Sequence, residues 1–208
     1  MRAMVVEQTG PIETNPVIPA DLPTPDPSPN EILIRVKVCG VCRTDLHVVE
    51  GDLPPKHPRI VPGHEIVGVV EHLGTSCTRF ASGDRVGIAW LRETCGACVY
   101  CRRGSENLCP NARFTGWDHD GGYAELAVVR EDFAYALPPP LGDEETAPLL
   151  CAGIIGYRAI KRAGVRPGST VGLYRFGGSA HVAIQVLKYW GCRVFVMSRG
   201  GKHQELAV

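Results

Sequence analysis

Four cysteines in one short segment constrain this chain more than any other feature of its sequence. They form a Cys-x-x-Cys-x-x-Cys array followed by a fourth cysteine after seven residues, at Cys95, Cys98, Cys101 and Cys109. Two-residue spacings let successive thiolates face one cation, and four thiolates complete the tetrahedral shell of a structural zinc ion. The spacing predicts a lobe in residues 94–110 whose fold depends on its ion. An iron–sulfur cluster is the lesser alternative, because closely spaced thiolates also hold such clusters.

The nine cysteines of the chain could instead form disulfides or remain thiols. The odd number and an N-terminus without an apolar signal segment argue against a secreted disulfide framework. Cysteines three residues apart also seldom reach relaxed disulfide geometry. We therefore expect a reducing, cytoplasmic location and metal binding.

The overall composition predicts a soluble globular protein. Its 208 residues include 22 basic and 22 acidic side chains, and 44% are hydrophobic. This balance provides no electrostatic attraction to nucleic acid or to an anionic membrane. The longest apolar stretch, residues 147–155, is about half of the ~20 residues that a membrane span requires. Neither nucleic acid nor membrane is expected as a partner.

The pattern of hydrophobic residues divides the chain near residue 150. Seven prolines from Pro11 to Pro29 predict an extended surface segment without helix. Alternating apolar residues over 32–38 indicate a half-buried strand, and further short strands are expected at residues 66–70, 85–89 and 123–129. Residues 1–150 are therefore expected to form a β-rich barrel or sandwich.

A different pattern follows, and it is typical of an α/β region. Asp143 is expected to cap a short helix, and a second helical segment should cover residues 153–163. Strands predicted at residues 170–174 and 193–197 enclose a helix, which is the order of one βαβ unit of a parallel sheet. The fold class expected for the whole chain is α/β with a β-rich N-terminal domain.

A second group of potential metal ligands is scattered along the chain. It comprises Cys42, His64 in the turn Pro62-Gly63-His64-Glu65, and Cys151. Two thiolates and one imidazole, with the fourth position left open, form a catalytic zinc site that admits a substrate oxygen. Each residue alone has an ordinary alternative: a lone histidine is more often structural, and a cysteine after two leucines is more often a small core residue.

Several segments together resemble the zinc-dependent alcohol dehydrogenases of the medium-chain dehydrogenase/reductase superfamily. Gly63-His64-Glu65 is followed by Gly68 and Gly74 at that family's intervals, and the four-cysteine lobe has the family's spacing. The resemblance covers nearly the whole chain. It implies a GroES-like catalytic domain in residues 1–150, the start of a Rossmann cofactor-binding domain in residues 151–208, and a homo-oligomer.

The resemblance also implies the ligands of a catalytic zinc. Cys42, His64 and Cys151 would bind the ion beside Glu65, and Asp45 would orient the imidazole from behind. Such outer partners fix the tautomer of a ligating histidine and strengthen it as a ligand. A zinc-free quinone reductase of the same superfamily is disfavoured, because all seven ligands of the two zinc sites are present.

Further roles follow from the same resemblance. Thr44 would accept the proton of the alcohol, and His47 would pass it to solvent through the cofactor ribose, although a solvated imidazole is the alternative for His47. Arg43 would contact the cofactor pyrophosphate, unless it is only an exposed cation. Trp90 resembles the wall that restricts some members to small primary alcohols, although an aromatic residue there is otherwise ordinary core.

The implied reaction is the oxidation of a primary alcohol to an aldehyde. Zinc increases the acidity of a bound hydroxyl group. A hydride then passes to the nicotinamide of NAD or NADP, which the second domain would hold. A small alcohol or aldehyde is therefore the expected substrate.

The cofactor segment departs from the family's pattern. The fingerprint G-x-G-x-x-G/A is replaced by Arg175-Phe176-Gly177-Gly178-Ser179-Ala180, so that an arginine stands at the first glycine. A side chain in the left-handed conformation expected there costs roughly 1 to 2 kcal/mol. The fingerprint positions that still fit are Gly177, Gly178 and Ala180.

Two residues after the second predicted strand bear on the choice of cofactor. Ser198 and Arg199 stand where NAD-preferring enzymes place an acidic residue. A hydroxyl followed by a guanidinium suits a 2′-phosphate and favours NADP, whereas the alternative is that Arg199 only begins an exposed turn.

The sequence includes only about two of the roughly six strands of a complete Rossmann sheet. We therefore expect a truncated gene product or an incomplete sequence, with an exposed sheet edge that favours association. This leaves a second hypothesis: a zinc-binding remnant that turns over no substrate. Intact zinc ligands favour the enzyme, whereas Arg175 and the missing strands favour the remnant.

Overall fold

The computed structural model describes residues 1–199, 201 and 205–206. Within this part of the chain there is no helix with the length and apolar character needed to cross a membrane. The chain separates into two compact units, Met1–Leu150 and Cys151–Val208.

The first unit is rich in strands. They are β1 (Arg2–Val6), β2 (Val17–Asp21), β3 (Glu31–Gly40), β4 (Glu65–Leu73), β5 (Arg85–Ile88), β6 (Leu91–Glu93), β7 (Arg113–Phe114), β8 (Leu126–Arg130) and β9 (Ala134–Ala136). The α-helices of this unit are short: α1 (Arg43–Glu50), α2 (Val99–Arg102) and α3 (Asp143–Thr146). Single 3-10 turns occur at Ile12–Thr14, Glu106–Leu108, Glu131–Phe133 and Ala147–Leu150.

A five-stranded antiparallel sheet carries the core of the first unit. Its strand order is β8-β3-β4-β5-β9. Alternate side chains of the three central strands point into one cluster, where Ile32, Ile34, Ile66, Val86 and Ile88 are buried. The last residue of β3, Gly40, pairs with the first residue of β4, Glu65. The β-rich fold predicted for this region is confirmed, and the sheet brings the ends of β3 and β4 together.

The structure corrects the prediction for the proline-rich segment. A 3-10 helix occupies Ile12–Thr14, and residues 17–21 form β2, which pairs antiparallel with β1. Pro19 lies within β2. A proline is tolerated there because, among the described strands, β2 pairs with β1 alone and so forms an edge, where a missing N–H leaves no ladder bond unmade.

Two further predictions shift by a few residues. The residue that caps α3 is Gly142 and not Asp143, which is the first helical residue and accepts a hydrogen bond from Arg85 Nε at 2.7 Å. The strand expected at residues 123–129 begins only at Leu126. Residues 121–123 instead pair through their backbone with residues 61–63.

The second unit contains α4 (Ala152–Arg162), β10 (Thr170–Tyr174), α5 (Gly178–Tyr189) and β11 (Arg193–Met197). The two strands are parallel, with Thr170 opposite Arg193, and α5 connects them. Ala183 and Leu187 of α5 are buried with Ile160 of α4. The βαβ unit expected from the sequence is confirmed.

Candidate functional site

The four cysteines predicted to bind a structural metal converge in the first unit. Their sulfur atoms all lie within 4.8 Å of one another. The Sγ–Sγ distances are 3.5 Å for Cys98 and Cys101, 3.6 Å for Cys95 and Cys109, and 3.9 Å for Cys95 and Cys101. Sulfurs at the zinc–thiolate distance of about 2.3 Å form a tetrahedron with edges of about 3.8 Å. The four thiols therefore fit a zinc ion, and none of them takes part in a disulfide.

The local backbone favours thiolates in this lobe. Cys98 caps α2, and its N–H donates to Cys95 Sγ at 3.4 Å. The backbone N–H groups of Ala97 and Cys98 lower the pKa of the Cys95 thiol to about 6. A thiolate is the form that binds metal. The loop thus prepares one ligand before the ion arrives.

A second group of potential ligands lies where β3 and β4 end. Ligand atoms of Cys42, His64 and Glu65 lie within 4.8 Å of one another. Cys42 Sγ is 3.4 Å from His64 Nε2. A sulfur and a nitrogen bound tetrahedrally to one zinc ion are about 3.6 Å apart. This spacing, and the burial of His64 and Glu65, fit a zinc ion.

Asp45 connects the two ligands on the protein side. This buried carboxylate lies 2.9 Å from His64 Nδ1 through Oδ1 and accepts the N–H of Cys42 at 2.8 Å through Oδ2. The second bond completes the capping box of α1, so the helix cap and the ligand support are the same group. With Nδ1 facing Asp45, Nε2 faces Cys42 and a prospective ion.

Charge in this pocket is also set by Asp45. Burial, the largest influence, lowers the pKa of His64, but hydrogen bonds to Asp45 and Cys42 together raise it to about 9. The negative surroundings that favour a protonated imidazole also favour a cation, which can bind Nε2 only after that nitrogen has lost its proton.

An aromatic wall borders this centre. The Trp90 ring stands edge-on to His64, with ring centroids 5.1 Å apart. It stacks on Phe114 at 4.9 Å and on Trp117 at 6.1 Å. Sequence reasoning found Trp90 but missed Phe114 and Trp117, because nothing in the local sequence indicates that these residues stack on a tryptophan more than 20 positions earlier.

The other residues predicted from α1 lie in its first two turns. The Thr44 N–H donates to Cys42 Sγ at 3.3 Å, and Arg43 is exposed. His47 Nδ1 lies 2.7 Å from Asp52 Oδ2, a partner that the sequence did not reveal. The roles of Arg43, Thr44 and His47 toward a substrate or a cofactor stay predictions.

Cys151 is the first residue of the second unit. The residue before it, Leu150, is buried in the first unit in a cluster with Val67 and Ala89. Val67 lies on β4, two residues beyond Glu65. The assignment of Cys151 as a zinc ligand stays a prediction.

The predicted cofactor segment lies between β10 and α5. Arg175 has a φ of 70°, in the left-handed region expected from its place in the fingerprint. Its N–H donates to Met197 O at 2.8 Å, which joins it to the last residue of β11. Gly177 caps α5 and Gly178 begins it. The remaining predicted cofactor residues are Ala180 in the first turn of α5, and Ser198 and Arg199 directly after β11.

Comparison with known proteins identifies the family. Residues 28–139, more than half of the chain, match the family described as alcohol dehydrogenase GroES-like domain. The chain is 54% identical over 213 residues to the probable alcohol dehydrogenase AdhA of Mycobacterium tuberculosis. The aligned region covers 100% of this chain and 62% of that protein.

Solved structures give the same result. The cobalt- and zinc-bound thermostable alcohol dehydrogenase of Pyrobaculum aerophilum matches with a TM-score of 0.89 and 32% identity, over 100% of this chain and 62% of that one. CAD from Helicobacter pylori, complexed with NADP(H), matches with a TM-score of 0.84 and 29% identity, over 99% of this chain and 62% of that one. The chain thus spans less than two thirds of the length of these relatives. By its matched domain, its fold and its motifs, the chain belongs to the zinc-dependent alcohol dehydrogenase family of the medium-chain dehydrogenase/reductase superfamily.

Proposed function

We propose that this chain supplies the zinc-binding catalytic part of an alcohol dehydrogenase that oxidises a primary alcohol to an aldehyde. The observation that carries the proposal is the grouping of Cys42, His64 and Glu65 over the buried carboxylate of Asp45. Cys151 would complete the ligand set, and a second zinc would sit among the four cysteines of the lobe. When bound, the catalytic Zn²⁺ acts as a Lewis acid that increases the acidity of the alcohol hydroxyl.

The chain's own residues would bind and deprotonate the alcohol. Thr44, on the first turn of α1, would accept the hydroxyl proton while it releases its own hydroxyl proton, so that the threonine stays neutral. His47, one turn further along α1, would take that proton toward solvent. Its hydrogen bond to Asp52 leads in that direction, because 43% of the His47 side chain and 65% of the Asp52 side chain are exposed. Trp90 would exclude water and bulky substituents on the side of His64.

The second unit would hold the nicotinamide cofactor, which accepts the hydride. Gly177, Gly178 and Ala180 would lie beside the cofactor phosphates at the start of α5. The family resemblance also implies a pyrophosphate contact for Arg43. A helix of 12 residues presents free N–H groups at its N-terminus, which favour an anion. Ser198 and Arg199 favour NADP, since their hydroxyl and guanidinium suit a 2′-phosphate.

Metal content and cofactor binding of the 208-residue chain test this function. Purified protein would be assayed for zinc per chain, titrated with NADH and NADPH by fluorescence, and supplied with ethanol. Two zinc ions, saturable cofactor binding and turnover are the expected result, and sedimentation of the same sample would report the homo-oligomer that the family suggests. A chain with two zinc ions that binds neither cofactor would contradict the enzyme and support the remnant without turnover.

The left-handed Arg175 favours that second hypothesis, and its replacement separates the two. Arg175→Gly is expected to tighten NADPH binding about 5- to 10-fold, because glycine adopts φ near 70° without strain and lets the backbone approach the phosphates. The measurement is the dissociation constant by fluorescence titration. Asn15→Gly is the matched control, since Asn15, with φ of 54°, has the same backbone conformation in the first unit. Equal affinity in Arg175→Gly and the unaltered chain would refute an inhibitory role for Arg175.

Trp90 provides a prediction about substrate size. Trp90→Ala is expected to raise kcat/KM for benzyl alcohol relative to ethanol by about 10- to 100-fold, because removal of the indole opens space beside His64. Steady-state kinetics with both alcohols measures the ratio. Trp90→Phe keeps an aromatic wall on Phe114 and should change the ratio much less. An unchanged ratio in Trp90→Ala would place the substrate elsewhere.

A further inference from the structure

Tyr123, distant in sequence from the zinc ligands, packs against the backbone that carries two of them. Its ring lies against Gly63, the residue before His64: a Cβ added at Gly63 would be 2.6 Å from Tyr123 Cδ1. Its hydroxyl donates to Gly40 O at 3.5 Å. Gly40 is the register partner of Glu65. One side chain therefore contacts both segments that position His64 and Glu65.

The backbone around Tyr123 is fastened to the same turn. The N–H groups of residues 121, 122 and 123 donate to the carbonyl oxygens of residues 61, 63 and 62, at 2.7, 2.9 and 3.0 Å respectively. Gly63 has a φ of +97°, which favours glycine, and a Cβ at Gly121 would collide with Gly63 O. On the other side, Tyr123 O accepts the N–H of Met4 at 2.7 Å. Backbone hydrogen bonds to the turn at residues 61–63 and to Met4 therefore fix the position of Tyr123.

The hydroxyl of Tyr123 also interacts with Asp45. Burial, and then the negative charge of Asp45, raise the pKa of Tyr123. Asp45 in turn bonds His64 Nδ1 and the N–H of Cys42. The tyrosine therefore adjoins the one carboxylate that orients both ligands.

We propose that Tyr123 is a positioning residue for the catalytic zinc: its ring and hydroxyl hold the Gly63–His64 turn and the Gly40 end of β3 at the separation that the ion requires. Tyr123 belongs to neither group of potential metal ligands and would act through the backbone and Asp45. This inference rests on the proposed catalytic zinc site. The structural site, built from a separate loop, provides an internal reference within the same molecule.

The test is Tyr123→Phe, which keeps the ring and removes the hydroxyl. Zinc affinity would be measured by competition with a chromophoric chelator on the full chain. We expect about 10-fold weaker zinc binding at the site of mixed sulfur and nitrogen ligands, which is the effect typical of losing a residue that supports a metal ligand. At the four-thiolate site the affinity should change by less than about 2-fold. Tyr135→Phe is the matched control, because Tyr135 lies on β9 and is 44% exposed.

Replacing zinc with Co²⁺ adds a second measurement, the absorption bands of the bound ion, which a general loss of stability would not shift at one site alone. Co²⁺ held by four thiolates and Co²⁺ held by mixed ligands absorb differently, so each site has its own bands. In Tyr123→Phe the mixed-ligand bands should shift while the tetrathiolate bands stay. Unchanged bands and affinities, or equal weakening of both sites, would overturn the positioning role. If the unaltered chain bound an ion only at the four-thiolate site, the proposed catalytic zinc site would be refuted, and with it the role proposed for Tyr123.

Discussion

His64→Ala is expected to leave the chain with one zinc ion where the unaltered chain binds two, and to lower ethanol oxidation by a factor of about 1,000 or more. The substitution removes one ligand of the proposed catalytic ion and leaves the buried carboxylate of Asp45 without the imidazole that lies 2.9 Å from it. A loss of about 4 kcal/mol of transition-state stabilisation corresponds to that factor. Elemental analysis and initial rates measure the two effects.

The control for this experiment lies on the same strand. His72 is exposed on β4, so His72→Ala should retain both zinc ions and full activity. Far-UV circular dichroism would establish that His64→Ala still folds, as its sheet core is formed by other residues. Two zinc ions and undiminished turnover in His64→Ala would show that His64 neither binds zinc nor takes part in ethanol oxidation.

Cys98→Ser should have the second large effect, on the lobe formed by residues 94–110. The zinc content is expected to fall by one ion per chain, and the lobe should lose its fixed conformation, because a structural zinc contributes folding free energy directly. Trypsin gives a sensitive measurement, since Arg102 and Arg103 lie within the lobe and are exposed. Cleavage after these residues should accelerate about 10-fold or more as the loop becomes mobile.

Cys77→Ser serves as the matched substitution for this lobe. Cys77 belongs to neither group of ligands, and its thiol donates to Glu31 O at 3.2 Å, a bond that a serine hydroxyl can replace. Its zinc content and its trypsin resistance should be those of the unaltered chain. If Cys98→Ser also kept the zinc content and the trypsin resistance of the unaltered chain, the assignment of a structural zinc site to the lobe would be wrong.

Local patterns in the sequence predicted what local chemistry determines. The spacing of Cys95, Cys98 and Cys101 predicted that their sulfurs converge, as they do. The strands at residues 170–174 and 193–197 have the bounds expected from their apolar runs. Asp45 and His64 are 19 positions apart in the sequence, and their contact was expected only from the family resemblance.

Contacts between distant segments could not be predicted in this way. Tyr123 lies 83 residues from Gly40, and the glycines that precede it look like ordinary turn residues in the sequence. The prolines predicted an extended surface segment, but only the structure reveals that Pro19 lies in a strand, β2, which pairs with β1. Asp143 is the first residue of α3 and not its cap, and its carboxylate binds Arg85 of the distant strand β5.

The two proposed metal sites differ in when they can form as the chain folds. The first and last thiols of the lobe are 14 positions apart in the sequence, so all four can meet as soon as that short loop closes. The turn that presents His64 is fixed only when residues 121–123 have paired with residues 61–63 and Met4 has joined Tyr123, a separation of more than 100 residues. Such long-range pairing is slow, because loop-closure entropy is lost before the contacts form. The lobe would therefore load its ion early in refolding, whereas metal uptake at His64 would mark the completion of the sheet.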